Sequence, residues 1–154
     1  MGILNFLPKF KQIEPDNLLG LTMGYVLAQR PTKYTDGTYG VQTVTYGNAK
    51  FIENGILCAL DADGKVVDAE GTEKQLFIHF TEELNTIIEG RKYFAVEGNG
   101  DETFLRLVAL VPGSEWTTNV EYDAEVLTAA GIIVTDENAT LPTGEAAKSY
   151  LYVG

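Results

Sequence analysis

The sequence contains little of what most active sites are built from. It has one cysteine, Cys58, and one histidine, His79. A single cysteine excludes a disulfide within the chain and a cysteine-based zinc cluster. A single histidine removes most metal sites and most catalytic triads. These scarcities exclude more functions than they suggest.

Basic side chains and long apolar runs are also scarce. The 11 lysines and arginines are outnumbered by 22 aspartates and glutamates, so the formal net charge is -11. Nucleic acids and anionic lipids are bound through clustered positive charge, so we expect neither nucleic acid nor a membrane as a partner. The apolar stretch from Leu18 to Ala28 covers about half of a membrane span. The first residues do not form a secretory signal, and we expect the protein to be made in the cytoplasm.

What is present fits a folded, mostly acidic protein. The chain has 154 residues, of which 45% are hydrophobic and 21% charged, a composition typical of one soluble domain or of a domain with an arm. Residues 1–50 carry five basic and three acidic side chains, a net charge of +2, whereas residues 51–154 carry -13. We therefore predict an N-terminal arm over 1–50 and a β-rich body over 51–154.

The arm is predicted to be extended. Pro8 and Pro15 interrupt the first 17 residues, so no long helix fits there. Asp36-Gly37 is a turn signal, and the alternation over residues 38–46 is typical of a strand with two half-polar faces. Few of these residues could build a core, so we expect the arm to pack only against something else.

In the body, turn residues separate short apolar runs at regular intervals, a pattern typical of short β-strands. Apolar runs on both sides of Asp61-Ala62-Asp63-Gly64 predict a hairpin, and further strands are expected at 76–80, 91–97, 103–111, 132–135 and 150–153. Turns are expected at 136–138 and 142–144, and residues 81–90 could form at most a two-turn helix. The predicted fold is mainly β: a small antiparallel β-barrel or sandwich with an extended N-terminal arm and at most one short helix.

No residues have the spacing of a catalytic or metal site. His79 lies in an alternating strand and fits a structural role, Cys58 lies in an apolar run where thiols are inert, and Ser114 is in a turn. Asp61-Ala62-Asp63-Gly64 matches part of a calcium loop, but the ligands that should follow are missing. We predict no catalytic residue, no metal and no cofactor.

Aromatic and basic residues of the arm are the candidate binding set. Four of the eight tyrosines, at positions 25, 34, 39 and 46, lie in the first 50 residues. Tyrosines on an extended segment suit addition to a partner's sheet edge, although they could equally cover this protein's own sheet. We predict contacts to a partner protein or to a neighbouring subunit at six residues: Arg30, Lys33, Tyr34, Tyr39, Tyr46 and Lys50. Trp116, the single tryptophan, is expected in the core rather than against a sugar.

Two stretches of the body carry a further pattern. Residues 54–67 read Asn-Gly-Ile-Leu-Cys-Ala-Leu-Asp-Ala-Asp-Gly-Lys-Val-Val, and residues 105–119 read Leu-Arg-Leu-Val-Ala-Leu-Val-Pro-Gly-Ser-Glu-Trp-Thr-Thr-Asn. The first resembles the strand–turn–strand of head decoration (auxiliary capsid) proteins of tailed bacteriophages. The second is similar to a later stretch of that family, in which an aromatic and Thr-Thr-Asn follow a glycine-containing turn. The resemblance covers residues 54–154 and does not extend to 1–50.

The resemblance implies a non-enzymatic structural protein of the virion. Such a protein is made in the host cytoplasm, binds the outer surface of the capsid through the major capsid protein, and stabilises the head. It implies a homo-oligomer, with a trimer as one option, and the arm would supply contacts between subunits. The alternative is a carbohydrate-binding β-module of a tail or adhesin, for which Trp116 and the arm tyrosines are the motivation. A third hypothesis is a small hydrolase that uses two carboxylates.

Overall fold

The computed structural model describes residues 13–17, 26–29, 31–47, 49–80, 86–88, 91–95 and 105–154. In these residues, thirteen strands form three antiparallel sheets, and there is one helix of seven residues. The predicted mainly β fold is confirmed, with separate sheets as in a small sandwich rather than a closed barrel.

The elements follow one another in short steps along the chain. The helix α1 (Ala124–Ala130) lies between the eleventh and twelfth strands. In chain order the strands are β1 (Ile13–Asn17), β2 (Val26–Gln29), β3 (Val44–Tyr46), β4 (Ala49–Glu53), β5 (Leu57–Leu60), β6 (Val66–Asp68), β7 (Phe77–His79), β8 (Thr86–Ile88), β9 (Arg91–Ala95), β10 (Leu105–Ala109), β11 (Glu115–Thr118), β12 (Ile132–Thr140) and β13 (Ala146–Tyr152).

The central sheet has five strands in the order β2-β10-β7-β5-β6. Most side chains of its inner strands β10, β7 and β5 are buried, with Arg106 the exposed exception on β10, and their sequences are accordingly nearly continuous apolar runs. Since neighbouring side chains on a strand point to opposite faces, the register places Leu57, Ile78 and Val108 on one face. The other face carries Cys58 and Phe77.

A different layer covers each face of the central sheet. The first face packs against the sheet β1-β11-β13-β12 and against α1, through Trp116, Tyr150 and Ala130. The second face packs against Ile52 of β4 and Val41 of the loop before β3. The third sheet has the order β3-β4-β9-β8.

Parts of the predicted arm belong to this structure. β1 pairs with β11 and β2 pairs with β10, so both supply partners to backbone groups of body strands. Ile13 and Val41 are each only 3% exposed. The expectation that residues 1–50 pack only against something else is therefore wrong for these segments, because they cover body strands. The division of the chain at residue 50 stays a prediction.

The β5–β6 hairpin forms as predicted, and its acidic turn is structural. The Asp61 carboxylate accepts hydrogen bonds from the backbone N–H groups of Asp63 and Lys65, each at 2.9 Å. Gly64 takes the left-handed conformation that closes the turn, with φ +77°. The turn at 142–144 is also present, where the Gly144 N–H donates to the Leu141 carbonyl at 2.8 Å.

The short helix lies elsewhere than predicted. Within the expected helix at 81–90, residues 86–88 form β8, which pairs with β9, and the remaining positions lie outside the described residues. The observed helix, α1, begins where the Asp123 side chain accepts from the Glu125 N–H at 2.8 Å and ends at Gly131, with φ +74°. Because α1 has only seven residues, its capping residues Asp123 and Gly131 indicate it in the sequence more clearly than its apolar spacing does.

The turn expected at 136–138 does not end a strand. These residues lie inside β12, whose register against β13 shifts between Val134 and Asp136 and again before Ala139. Such bulges keep a strand paired while twisting an edge, so local turn residues do not end the strand.

No helix in the described ranges combines the length and the apolar character needed to cross a membrane.

We predict that Gly71→Ala destabilises the protein by about 3 kcal/mol, whereas Gly64→Ala costs about 1 kcal/mol. Both glycines have positive φ, but a Cβ at Gly71 would lie 2.6 Å from the Val126 carbonyl oxygen and 2.8 Å from the Ala129 Cβ on α1. A Cβ at Gly64 would meet nothing within 4 Å. Urea unfolding of both variants measures the difference, and equal losses would contradict the packing of this loop on α1.

Candidate functional site

The loop after β2 leaves the edge strand β6 and returns to it. The Thr32 N–H donates to the Val66 carbonyl at 3.0 Å, and the Asp68 N–H donates to the Gly40 carbonyl at 2.8 Å. Between these points, the Tyr34 N–H donates to the Thr38 carbonyl at 2.8 Å, which closes a tight turn. We call residues 33–39 together with Lys50, which reaches over from β4, the tip.

Tyr39 lies at the centre of the tip between two ammonium groups. The Lys33 Nζ is 5.7 Å and the Lys50 Nζ is 5.8 Å from the centroid of its ring, within range of a cation–π attraction. The Lys50 Nζ also donates to the Gly37 carbonyl at 3.2 Å. The ring therefore holds two positive charges at one place on the surface.

The structure brings four of the six predicted binding residues together: Lys33, Tyr34, Tyr39 and Lys50. Tyr46 lies in β3, where its register with Ala49 places it on the opposite face of the β3–β4 pair from Lys50. Arg30 lies outside the described residues.

The interpretation that the arm tyrosines cover this protein's own sheet applies to Tyr39, and their contact with a partner stays a prediction. Tyr39 packs against the core cluster on the second face of the central sheet, so it covers this protein's own sheet. Tyr34 and Tyr46 are each 51% exposed, a large exposed fraction for an aromatic ring.

The tip carries a small positive charge. Lys33 and Lys50 contribute two cations, and Asp36 contributes one anion. The side-chain hydrogen bond from Thr38 and the backbone hydrogen bond of the same residue hold the pKa of Asp36 below its usual value, so this carboxylate is ionised at neutral pH. The net charge of the tip is +1, in contrast to the acidic body.

A cleft of about 220 Å³ lies beside the base of the tip. Three carboxylates line it, those of Asp68, Glu121 and Asp123, and we call it the acidic cleft. Sequence reasoning missed it because Asp68 is more than 50 positions away from the other two, and no local spacing joins them.

Two carboxylates of the acidic cleft also hold the backbone. Asp123 caps α1, and Asp68 accepts from the Gln42 N–H at 3.1 Å. Burial raises the pKa of Asp68, which is half-buried, whereas Glu121 is exposed. Asp68 and Asp123 thus both hold the backbone around the acidic cleft.

His79 is a structural residue, as its strand position predicts. It is fully buried, and its Nδ1 lies 2.9 Å from the Glu53 carbonyl oxygen, which accepts a hydrogen bond from the neutral ring. Burial lowers the pKa of His79 to about 4. The imidazole therefore links β7 to the end of β4 and is uncharged at neutral pH.

Cys58 and Ser114 are structural too. Cys58 has no exposed surface, and burial raises the pKa of its thiol, so the reactive thiolate is disfavoured. The Ser114 hydroxyl donates to the Val111 carbonyl at 2.8 Å within its turn. In the described part of the chain, no group of three or more histidine, cysteine, aspartate or glutamate side chains could hold a metal ion.

Trp116 lies in the core, as predicted. Its ring is fully buried and stacks on Tyr150 with 5.7 Å between centroids. Its Nε1–H donates to the Tyr122 hydroxyl at 3.1 Å, and that hydroxyl donates to the Gly55 carbonyl. A buried indole with its N–H satisfied is not a surface for stacking sugars.

We compared the chain with protein-family models, curated proteins and solved structures, and none of the three comparisons gave a match. The tip and the acidic cleft are accordingly interpreted from their own geometry and charge.

We predict that acid weakens this protein partly through His79. The unfolded chain takes up a proton at the ordinary histidine pKa of 6.5, whereas the folded chain does so only near 4. Stability therefore falls as the pH drops below about 6.5 and levels off below about 4, and the total loss is about 3 kcal/mol.

The matched variant is His79→Asn, in which an amide N–H replaces the Nδ1 donor and does not titrate. Urea unfolding of both proteins between pH 7 and pH 4 separates this histidine from the carboxylates they share. An equal loss of stability in the two proteins would show that His79 does not contribute.

Proposed function

We propose that this chain is a non-enzymatic structural protein of a phage virion that binds the outer surface of the capsid and stabilises the head. Its partners are the major capsid protein and further copies of itself. The observation that carries the proposal is the tip, where exposed aromatic and cationic side chains are held in a fixed shape on an otherwise acidic β body. Tyrosine is enriched where protein interfaces gain most of their binding energy.

The way the tip is built supports an attachment role. The hydrogen bonds to β6 and the turn from Tyr34 to Thr38 fix its backbone before any partner arrives. A preformed surface loses less conformational entropy on binding than a disordered one. Binding through the exposed Tyr34 ring would therefore require little further ordering of the backbone around it.

The two stretches that resemble decoration proteins also fold in the expected manner. Residues 54–67 span the β5–β6 hairpin, and residues 105–119 span β10, a turn and β11. These elements support the proposal without identifying the family, since a hairpin and a strand–turn–strand occur in many β proteins.

The carbohydrate-binding alternative loses its main motivation. Trp116 is buried, and the two exposed tyrosines lie on different elements, Tyr34 on the tip and Tyr46 on β3. Capsid attachment therefore remains the function that the geometry supports best.

We predict that Tyr34→Ala combined with Tyr46→Ala weakens binding to undecorated heads at least tenfold, about 1.4 kcal/mol. The matched control combines Ile133→Ala with Val153→Ala, because these side chains are 49% and 53% exposed but do not belong to the predicted binding residues. A truncated chain without residues 1–48 would not test the same point, because it would also lose β1 and β2, which pair with body strands.

Cosedimentation of purified protein with heads lacking decoration, built from the major capsid protein of the same phage, measures the binding. The proposal fails if the unaltered protein does not bind at micromolar concentration. It also fails if the tyrosine variant and its control bind equally.

A further inference from the structure

We infer that the tip of one copy binds the acidic cleft of a second copy, so that the chain associates with itself head to tail. The inference rests on the proposed function in using the same tip as the contact surface. It goes further by naming the acidic cleft of a neighbouring copy as a surface that the tip contacts.

Charge favours this pairing over other contacts between copies. The chain has a net charge of -11, and residues 51–154 alone carry -13, so most approaches of two copies bring like charges together. The tip is +1, whereas three carboxylates line the acidic cleft. A contact between them joins opposite charges, which guides the encounter and fixes the register.

The size of the acidic cleft suits one side chain. Its volume of about 220 Å³ is below the roughly 300–1,000 Å³ of typical small-molecule sites. The exposed Tyr34 ring and the adjacent residue Lys33, which is also exposed, together provide the apolar and cationic character that such a cleft would accept. The lining includes apolar residues, Ile56 and Val126 among them, beside the carboxylates.

The tip of the same chain is not what lines the cleft. The lining residues come from positions 42, 56–57, 68–69, 120–123 and 126, and none belongs to the tip. Both ends of the tip are hydrogen-bonded to β6, through Thr32 and Gly40. The acidic cleft and the tip of one molecule are therefore separate surfaces, each suited to the other surface of a neighbour.

The symmetry of such an assembly follows from the two surfaces being different. A contact of this kind is heterologous, and repeated copies form a closed ring when the rotation between them closes. It agrees with the expected homo-oligomer and does not select the number of subunits.

The experiment measures self-association of the purified full chain by sedimentation equilibrium, with no heads present. We expect association in about 50 mM salt that weakens at least tenfold in about 500 mM salt, because the paired charges lie near the surface. Lys33→Glu and Glu121→Lys should each weaken it at least tenfold. Both side chains are exposed, so the fold should tolerate the changes.

The double variant, Lys33→Glu with Glu121→Lys, is the decisive one. It keeps the net charge of -11 and restores opposite charges across the contact, so association should return to within about threefold of the original. Lys74→Glu is the matched control, because it makes the same change of net charge at an exposed position outside the tip and should have no effect. Urea unfolding checks that each variant is folded, and Lys33→Gln replaces Lys33→Glu if the latter is not.

Three results would overturn the inference: a monomer at both salt concentrations, equal effects of Lys33→Glu and Lys74→Glu, or a double variant no better than the single ones. Because heads are absent, a failure here is separate from a failure of capsid binding. Head binding with no self-association would leave the proposed function standing and remove the neighbouring copy as the partner of the tip.

Discussion

Both faces of the central five-stranded sheet are apolar, and the need to cover them determines where the rest of the chain lies. Leu57, Ile78 and Val108 require a layer on one side, and Cys58 and Phe77 require one on the other. Each large apolar side chain that is fully buried contributes about 1.5–3 kcal/mol, so neither face can be left open. The sheet that contains Trp116 and the helix α1 cover the first face. β4 and the loop before β3 cover the second.

The position of the tip follows from the same constraint. Val41 and Tyr39 pack on the second face, so the loop that carries the tip is held by the core as well as by its hydrogen bonds to β6. Other side chains of the same loop, such as Tyr34, do not take part in this covering and are exposed. The tip is therefore as stable as the layer to which it belongs.

Local patterns predicted the strands and turns, but not what they pack against. The Asp61–Gly64 turn and the strand around Ile78 could be predicted because both signals lie within a few residues. The covering role of Ile13 and the grouping of Asp68 with Glu121 could not, because they depend on pairing between distant segments. Around Ile87, the apolar spacing that suggested a helix was outweighed by pairing with β9.

Cys58 lies on an inner strand of the central sheet, on the face covered by Val41 and Ile52, and has no exposed surface. A thiol-specific reagent can therefore reach it only when β5 separates from its covering layer. Because Cys58 is the single thiol, its labelling rate at fixed pH and saturating reagent equals the rate at which the core opens around β5. Comparing that rate with and without undecorated heads would show whether the proposed binding also slows the separation of these layers.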